Sequence, residues 1–287
     1  MRAADVLAQA VATLESSPAI DHWQAGREEI EAEDLLCHAL HVDDVDPEEE
    51  VLAAVRGRFQ RMVARRATGE PVQLIKGYAV FRGLEIRARP GVFVPRDSTE
   101  FLAEQAIRRL RGRRRPVAVD LATGGGIVAL AIANEVRGVR VFGADISPAA
   151  IRTARANARR LGLRATFAVG DLFGPIPSSL AGAVDVVSLH PPYVARGELG
   201  ELPVEIRRFE PAHTLSDRSV DGLGLVERTA AEAGTWLRPA GWLLIEVSPD
   251  RARSASAVLR REGFVDVRST LDRGFKVTRV LVARWPR

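Results

Sequence analysis

The stretch Val117-Ala118-Val119-Asp120-Leu121-Ala122-Thr123-Gly124-Gly125-Gly126 indicates how the larger part of the chain folds. Its first half is apolar, as expected of a strand buried in a parallel sheet, and a helical pattern begins directly after it at Ile127. The glycines let the backbone approach a ligand closely, and the start of the helix offers free N–H groups. The stretch therefore predicts a strand, a ligand-binding turn and a helix, in that order.

The alternation of strand and helix continues to the end of the chain. Strands are predicted at 117–121, 139–144, 165–169, 184–189, 242–247, 265–271 and 276–285, with helices at 99–109, 127–136, 148–161, 222–237 and 251–262. This alternation predicts an α/β fold with a doubly wound, mainly parallel sheet. Only Asp272-Arg273-Gly274 separates the last two strands, which predicts an antiparallel hairpin at one edge of the sheet.

The N-terminal part of the chain follows other patterns. Residues 1 to about 66 carry three apolar stripes at helical spacing, which predict a small helical bundle. From Pro71 to Val94 the spacing changes to period two around a turn at Arg82-Gly83, which predicts a β-hairpin. We therefore expect a helical N-terminal domain over 1–68, a β-hairpin linker over 69–94 and an α/β domain over 95–287.

Composition excludes several classes of protein. The chain has 287 residues, of which 46% are hydrophobic and 27% charged, and none of its apolar runs reaches the roughly 20 residues of a membrane span. Met1–Asp5 lacks the apolar core of a signal peptide, so a cytoplasmic location is expected. Cys37 is the single cysteine, which excludes an internal disulfide and a cysteine-based zinc site. No metal-ligand spacing is convincing, and no metal is expected.

The excess of basic residues makes nucleic acid a partner to consider. The 41 basic residues exceed the 37 acidic ones by four, and the densest cluster is Arg108–Arg115. Such a cluster could attract nucleic acid, but no aromatic residue lies within it to stack on bases. A solvated arginine-rich surface is the preferred interpretation, and nucleic acid is not the expected direct substrate.

Three acidic residues lie at the ends of three successive predicted strands. Asp120 precedes the glycine-rich turn, Asp145 precedes Ile146, and Asp171 precedes Leu172. The carboxyl ends of parallel strands form the ligand-binding edge of such a sheet. A carboxylate there can accept two ribose hydroxyls, and an acid beside apolar side chains can bind a purine. Three such acids at successive strand ends predict a nucleoside-containing cofactor.

The spacing favours S-adenosylmethionine over a nicotinamide cofactor. Ala122 and Gly125 break the Gly-x-Gly-x-x-Gly register of dinucleotide sites, and an antiparallel terminal hairpin is not expected of that fold. The adenine would meet Asp171, the ribose Asp145, and the amino-acid end the loop after Asp120. The residues predicted to bind the cofactor are Asp120, Ala122, Thr123, Gly124, Gly126, Asp145, Ile146, Asp171, Leu172 and His190.

The stretch His190-Pro191-Pro192-Tyr193 predicts a rigid corner directly after the buried strand 184–189. Proline cannot donate to a sheet ladder, and it restricts the residue before it to extended geometry. The carbonyl groups of the corner are therefore held in set positions, followed by the ring of Tyr193. Such a corner can hold a planar amino or amide group.

At this point the chain resembles the release-factor glutamine N5-methyltransferases of the HemK/PrmC family. The resemblance extends from about Glu31 to Trp285. The matching stretches are Arg65-Arg66, Gly69–Gln73, Phe81–Leu84, Pro90–Arg96 with Thr99-Glu100, Asp120–Gly126, Ala144-Asp145, Gly170–Phe173, Pro191–Tyr193, Glu210-Pro211, Asp221–Leu223 and Leu244–Glu246. It implies a helical domain that recognises the substrate, a hairpin linker and a seven-stranded methyltransferase domain that uses S-adenosyl-L-methionine.

The resemblance also implies a mechanism. The family's corner is Asn-Pro-Pro-Tyr, whose asparagine and first proline carbonyl accept the N–H groups of a substrate amide while the tyrosine packs on the amide plane. We expect His190, Pro191 and Tyr193 to be catalytic here, and Pro192, Arg96, Glu210 and His213 to contact the substrate. Positioning supplies most of the rate in such a transfer, because no covalent intermediate is needed.

The chain departs from the family pattern at three places. His190 replaces the asparagine, Ala122 replaces the first glycine of the cofactor loop, and Arg96-Asp97-Ser98-Thr99-Glu100 lacks a second proline. A neutral imidazole has one acceptor and one donor, so His190 can accept a hydrogen bond or act as a general base. It reproduces the face that an asparagine offers to an amide less well.

Four functions remain open from the sequence. The first is methylation of a glutamine amide in a protein such as a peptide release factor. The second is methylation of a different amine, amide or hydroxyl on a small-molecule acceptor, which His190 favours. A nucleic-acid amino methyltransferase is the third, because a Pro-Pro-aromatic corner can hold a flipped base. The fourth is a cofactor-binding protein without turnover.

Overall fold

The structure is a computed structural model that describes residues 1–22, 25–272, 274 and 276–286. The chain forms two compact units: residues 1–78 with 200–210, and residues 79–199 with 211–287. Among the described residues, no helix is both long and apolar enough to cross a membrane.

Eleven α-helices and nine strands are found within the described residues. The helices are α1 (Ala3–Glu15), α2 (Arg27–Leu40), α3 (Ala53–Arg66), α4 (Val72–Lys76), α5 (Glu100–Leu110), α6 (Ile127–Glu135), α7 (Pro148–Leu161), α8 (Val204–Phe209), α9 (Ala212–Leu215), α10 (Gly224–Trp236) and α11 (Ala252–Arg261). The strands are β1 (Tyr78–Phe81), β2 (Leu84–Arg87), β3 (Val117–Leu121), β4 (Arg140–Asp145), β5 (Thr166–Val169), β6 (Val184–Leu189), β7 (Leu237–Glu246), β8 (Val265–Asp272) and β9 (Val277–Arg284).

The first unit is a helical bundle around one apolar core. Val6 and Leu14 of α1, Leu35 of α2 and Phe59 of α3 are all buried in it. These side chains recur at helical spacing, so each helix turns one apolar face inward. The predicted bundle is therefore present.

A network of charged side chains joins residues 200–210 to this bundle. The Arg66 side chain is fully buried, and its guanidinium donates to Glu31 Oε2 at 2.7 Å and to Glu205 Oε2 at 2.7 Å. Arg27 donates to both Glu205 oxygens, at 2.8 and 3.0 Å. Burial alone would raise the pKa of Glu205, but Arg27 and Arg66 outweigh it, and the pKa is lowered.

The second unit is built on a seven-stranded sheet with the order β5-β4-β3-β6-β7-β9-β8. The strands β5, β4, β3, β6 and β7 are parallel, and β9 is antiparallel to both β7 and β8. The helices α5, α6 and α7 cover one face of the sheet, and α10 and α11 cover the other. The predicted doubly wound sheet with an antiparallel edge hairpin is confirmed; Arg273, in the predicted turn, lies outside the described residues.

The local structure differs from the predictions in three places. The residues Val72–Lys76 form the helix α4 and not the start of a strand, because Val72 and Ile75 are buried one helical turn apart and Gly77 ends the helix at φ 81°. The hairpin itself is shorter, with β1 and β2 on either side of Arg82-Gly83. The helices α8 and α9 were not predicted, because each is too short to show a periodic pattern.

Candidate active site

The candidate site lies where the sheet reverses its order, between the carboxyl ends of β3 and β6. From β3 the chain moves outward to β4 and β5, and from β6 it moves the other way to β7. Leu121 of β3 is level with Ala144 of β4 and with Leu189 of β6. Ligands of open α/β sheets bind at such a switch point, so the residues after these three strands are the candidates.

Asp120 lies beneath this edge and connects two elements. Its side chain is buried and accepts hydrogen bonds from Thr123 Oγ1 at 2.5 Å and from Ser188 Oγ at 2.7 Å. Burial raises the pKa of Asp120 to about 6, against the lowering effect of the two hydroxyls. The carboxylate thus ties the loop after β3 to β6. Its predicted contact with the cofactor stays a prediction.

The loop after β3 has the backbone of a ligand-binding turn. Ala122, Gly124 and Gly126 have φ angles of 50°, 53° and 86°, in the left-handed region. A Cβ at Gly124 would meet nothing within 4 Å, so the backbone there borders open space. A Cβ at Gly126 would lie 3.0 Å from the Phe167 ring, so this glycine is needed for packing. The loop is closed on one side and open on the other, as a cradle for a ligand requires.

Asp145 connects the loop to the start of α7. Its carboxylate accepts the Gly124 N–H at 2.9 Å and the Ser147 N–H at 2.8 Å. Burial raises its pKa, while these two backbone donors lower it. The next side chain, Ile146, is 59% exposed although it is apolar. A carboxylate has about four lone-pair sites, so Asp145 can still accept ribose hydroxyls, and Ile146 offers an apolar surface to an adenine.

Asp171 and Leu172 are placed differently from the other predicted cofactor residues. The Asp171 side chain is more than half exposed and forms an ion pair with Arg228 of α10. Leu172 is buried in the core on the α10 side of the sheet, with a φ of 44°. The predicted contact of these residues with adenine stays a prediction.

The corner after β6 is held by a neighbouring segment. The Asp217 N–H donates to the Pro192 carbonyl at 3.2 Å, and the Val194 N–H donates to the Leu215 carbonyl at 2.9 Å. No donor to the Pro191 carbonyl is found among the described residues. A Cβ at Gly222 would lie 2.0 Å from the Tyr193 carbonyl oxygen, so this segment passes directly against the corner.

His190 is enclosed by aromatic and polar side chains. Its ring stacks on Tyr193 at a centroid distance of 5.9 Å and meets the Phe93 ring edge to face at 5.2 Å. Its Nδ1 lies 3.2 Å from Thr99 Oγ1 and 3.5 Å from Glu246 Oε2. Burial lowers the pKa of His190. The imidazole is therefore neutral at physiological pH.

The predicted substrate residues fall in different places. The guanidinium of Arg96 lies 5.3 Å from the Phe93 ring centroid, next to His190 in the second unit. His213 is exposed on α9, and its charge lowers the pKa of Asp145, which burial raises more strongly. Glu210 is buried and belongs to the first unit. The structure thus places Arg96 at the corner, and His213 close enough to act on Asp145.

Sequence reasoning missed the residues that surround His190. Glu246, Thr99 and Phe93 were not among the predicted site residues. Glu246 ends β7, so the signal that pointed to Asp120 and Asp145, an acid at the carboxyl end of a strand, also applied to it. Thr99 and Phe93 lie in stretches that match the family, but nothing in those stretches indicates their contact with His190, which only the folded chain creates.

The fold and this edge define a class I S-adenosylmethionine-dependent methyltransferase. A methyltransferase from Pyrococcus furiosus has the same fold, with a TM-score of 0.54 and 18% identity over 80% of this chain and 99% of that one. The chain matches the PrmC N-terminal domain over residues 5–77 and a methyltransferase domain over residues 118–209.

Relatives with higher sequence identity show which family of methyltransferases the chain belongs to. The release factor glutamine methyltransferase of Geobacter sulfurreducens is 36% identical over 83% of both chains. The 4-amino-L-phenylalanine/4-methylamino-L-phenylalanine methyltransferase of Streptomyces pristinaespiralis is 37% identical over 80% of this chain and 78% of its own. The chain belongs to the HemK/PrmC family of methyltransferases. The predicted family, enzyme class and cofactor are confirmed.

Proposed function

We propose that the enzyme transfers the methyl group of S-adenosylmethionine to the side-chain amide nitrogen of a glutamine in a protein of the release-factor type. The observation that carries the proposal is the corner His190-Pro191-Pro192-Tyr193 at the carboxyl end of β6. It lies across the switch point from the loop after β3, and no donor to its Pro191 carbonyl is found among the described residues, so this oxygen retains its capacity to accept a substrate N–H. The relatives named as release factor glutamine methyltransferases support this acceptor.

Each residue of the site has a defined part in this proposal. Thr123, Gly124, Asp145 and Ile146 hold the cofactor, which supplies an electrophilic methyl group when it is bound. Asp120 keeps the loop in place beneath them. The Pro191 carbonyl and His190 accept N–H groups of the acceptor, so that the nitrogen lone pair faces the methyl group. Fixing this alignment replaces a random encounter and accounts for most of the rate.

The N-terminal domain has a part in the same proposal. We assign recognition of the protein acceptor to the helical residues 1–68. We also propose that the enzyme works in the cytoplasm. The match to the PrmC N-terminal domain over residues 5–77 supports this assignment.

An aromatic amine on a small molecule is the second candidate acceptor. His190 favours it, because a neutral imidazole cannot pair with the C=O and N–H of an amide as an asparagine can. Phe93 and Tyr193 lie on two sides of the imidazole, and Arg96 places a positive charge beside the Phe93 ring. The name of the Streptomyces relative points to the same kind of acceptor.

Radiolabelled cofactor distinguishes the two candidates. The enzyme is incubated with a purified release factor in one reaction and with 4-amino-L-phenylalanine in another. Label in the release factor, absent from a variant whose acceptor glutamine is changed to alanine, supports the first candidate. Label in the amino acid alone replaces it with the second. Tight cofactor binding with label in neither pool contradicts both.

A further inference from the structure

Glu246 is a buried acid at the acceptor corner. Its side chain is 2% exposed, at the end of β7. Ser98 Oγ donates to Glu246 Oε1 at 3.3 Å, and Arg279 Nη1 lies 3.9 Å from the same oxygen. No hydrogen-bond partner for Oε2 is found among the described residues. A buried carboxylate oxygen without a donor is costly, so the nearest potential donor matters.

That potential donor is the imidazole of His190. Its Nδ1 is 3.5 Å from Glu246 Oε2 and 3.2 Å from Thr99 Oγ1. An ionised carboxylate only accepts hydrogen bonds, so a lone pair on Nδ1 would face a negative oxygen, whereas a proton on Nδ1 would be attracted to it. A proton on Nδ1 suits the Glu246 carboxylate, can also be accepted by Thr99 Oγ1, and leaves the lone pair on Nε2.

We propose that Glu246 is a positioning residue, which holds His190 as the Nδ1–H tautomer so that Nε2 accepts the proton of the acceptor nitrogen. The inference rests on the proposed methyl transfer at this corner. The acceptor nitrogen forms its bond to the methyl carbon as the carbon–sulfur bond breaks and that electron pair stays on sulfur. The N–H proton passes to Nε2, and the resulting imidazolium faces the carboxylate of Glu246.

The charges around the ring set the direction of the pH dependence. Burial lowers the pKa of His190, Glu246 on β7 raises it, and Arg96 before α5 and Arg279 on β9 lower it. Tyr193, whose ring stacks on the imidazole, is a further titratable group, and burial raises the pKa of its hydroxyl. The rate should therefore fall on the acid side only below the ordinary histidine value of about 6.5.

The tautomer can be tested without acceptor or cofactor. In ¹⁵N spectra of the histidine rings, with the signals of His190 assigned by comparison with His190→Asn, the wild type should show a protonated Nδ1 and an unprotonated Nε2. Glu246→Gln should lose this single tautomer, because a neutral amide can donate to Nδ1 as well as accept from it. Thr99→Val should keep it. A protonated Nε2 in the wild type, or an unchanged spectrum in Glu246→Gln, would overturn the assignment.

Kinetics test the catalytic consequence separately. Glu246→Gln should lower kcat about 10²-fold or more, the usual contribution of a general base, with the cofactor Kd unchanged. The pH below which the rate of Glu246→Gln falls should be lower than in the wild type, because the group that raises the pKa of His190 is gone. Glu246→Asp, which keeps the charge, should recover part of kcat. A kcat and an acid-side fall in rate that are both unchanged in Glu246→Gln would overturn the positioning role of Glu246.

The outcomes separate this inference from the proposed function. If the tautomer is as expected but neither acceptor takes label, the proposed function fails and the positioning of His190 stands. If label is transferred and Glu246→Gln behaves as the wild type, the proposed function stands and this inference fails.

Discussion

At the residue scale, two acids that share one sequence signal have different surroundings. Asp145 is partly exposed at the edge of the sheet and is held by two backbone N–H groups. Asp120 is buried, and its carboxylate is bonded to two hydroxyl groups. We propose that the first binds the cofactor, whereas the second holds the loop after β3, so their substitutions should have different effects.

Asp145→Asn should weaken binding of S-adenosylmethionine about 10- to 100-fold, because hydrogen bonds to a charged group contribute about 1.5–3 kcal/mol. Titration calorimetry with the cofactor measures the change. Asp266→Asn is the matched control, because Asp266 pairs with Arg284 on the edge strand β8 and should leave the affinity unchanged. Asp171→Asn tests the predicted adenine contact. Unchanged affinity in Asp145→Asn would contradict the ribose assignment, and an equal loss in Asp171→Asn would support the predicted adenine contact.

Asp120 should make the stability of the protein depend on pH. Its pKa is raised by burial from 3.8 to about 6, so the folded state holds the proton more tightly than the unfolded state. Its stabilising contribution is complete below the unfolded value and is lost as pH rises through about 6. The free energy of unfolding of Asp120→Asn should therefore rise by about 3 kcal/mol relative to that of the wild type between about pH 4 and pH 7. Urea unfolding at several pH values measures this difference, and a constant difference would refute it.

At the scale of elements, the corner after β6 depends on a segment that is distant in sequence. The segment 215–217 donates to and accepts from the corner, and Gly222 passes directly against it. The sequence predicted the strand and its two prolines, because both are local features. It did not predict that α9 and the turn before α10 would hold the corner in place.

Gly222→Ala should displace the corner and lower kcat about 10²-fold, the usual result of a shift of about 1 Å at reacting groups. The added Cβ would lie 2.0 Å from the Tyr193 carbonyl oxygen, at a φ of 72°. Gly182→Ala is the matched control, because Gly182 has a φ of 68° but open space around its Cβ position. Steady-state kinetics and cofactor affinity are compared for both. An equally large fall in kcat in both variants would show that backbone strain, and not the clash, lowers kcat.

At the scale of the whole molecule, residues 200–210 belong with the N-terminal helices although the methyltransferase strands flank them in sequence. The buried Arg66 joins Glu31 of α2 to Glu205 of α8 and is itself part of α3. One side chain thus ties three segments of the first unit together. A buried charge that loses its partner is strongly destabilising, so this network should matter more than an exposed ion pair.

Arg66→Ala should destabilise the protein by about 3–5 kcal/mol, because Arg27 would be the one cation left to Glu31 and Glu205 among the described residues. Arg65→Ala is the neighbouring control. The Arg65 side chain is 48% exposed and pairs with Glu70 on the surface, so its loss should cost less than about 1 kcal/mol. Thermal and urea unfolding measure both variants. Similar losses in the two would show that burial does not set the strength of the network.

The sequence by itself determined the order of strands and helices, the edge hairpin and the glycine-rich loop, because each depends on the periodicity or backbone preferences of a short segment. It also predicted His190 and Asp145 as site residues, since the ends of parallel strands meet at one edge. Only the tertiary structure decided that Asp120 faces inward, that Glu246 faces His190 across 56 residues, and that Glu205 joins Arg66. These contacts depend on which distant segments become neighbours, and no local pattern records that choice.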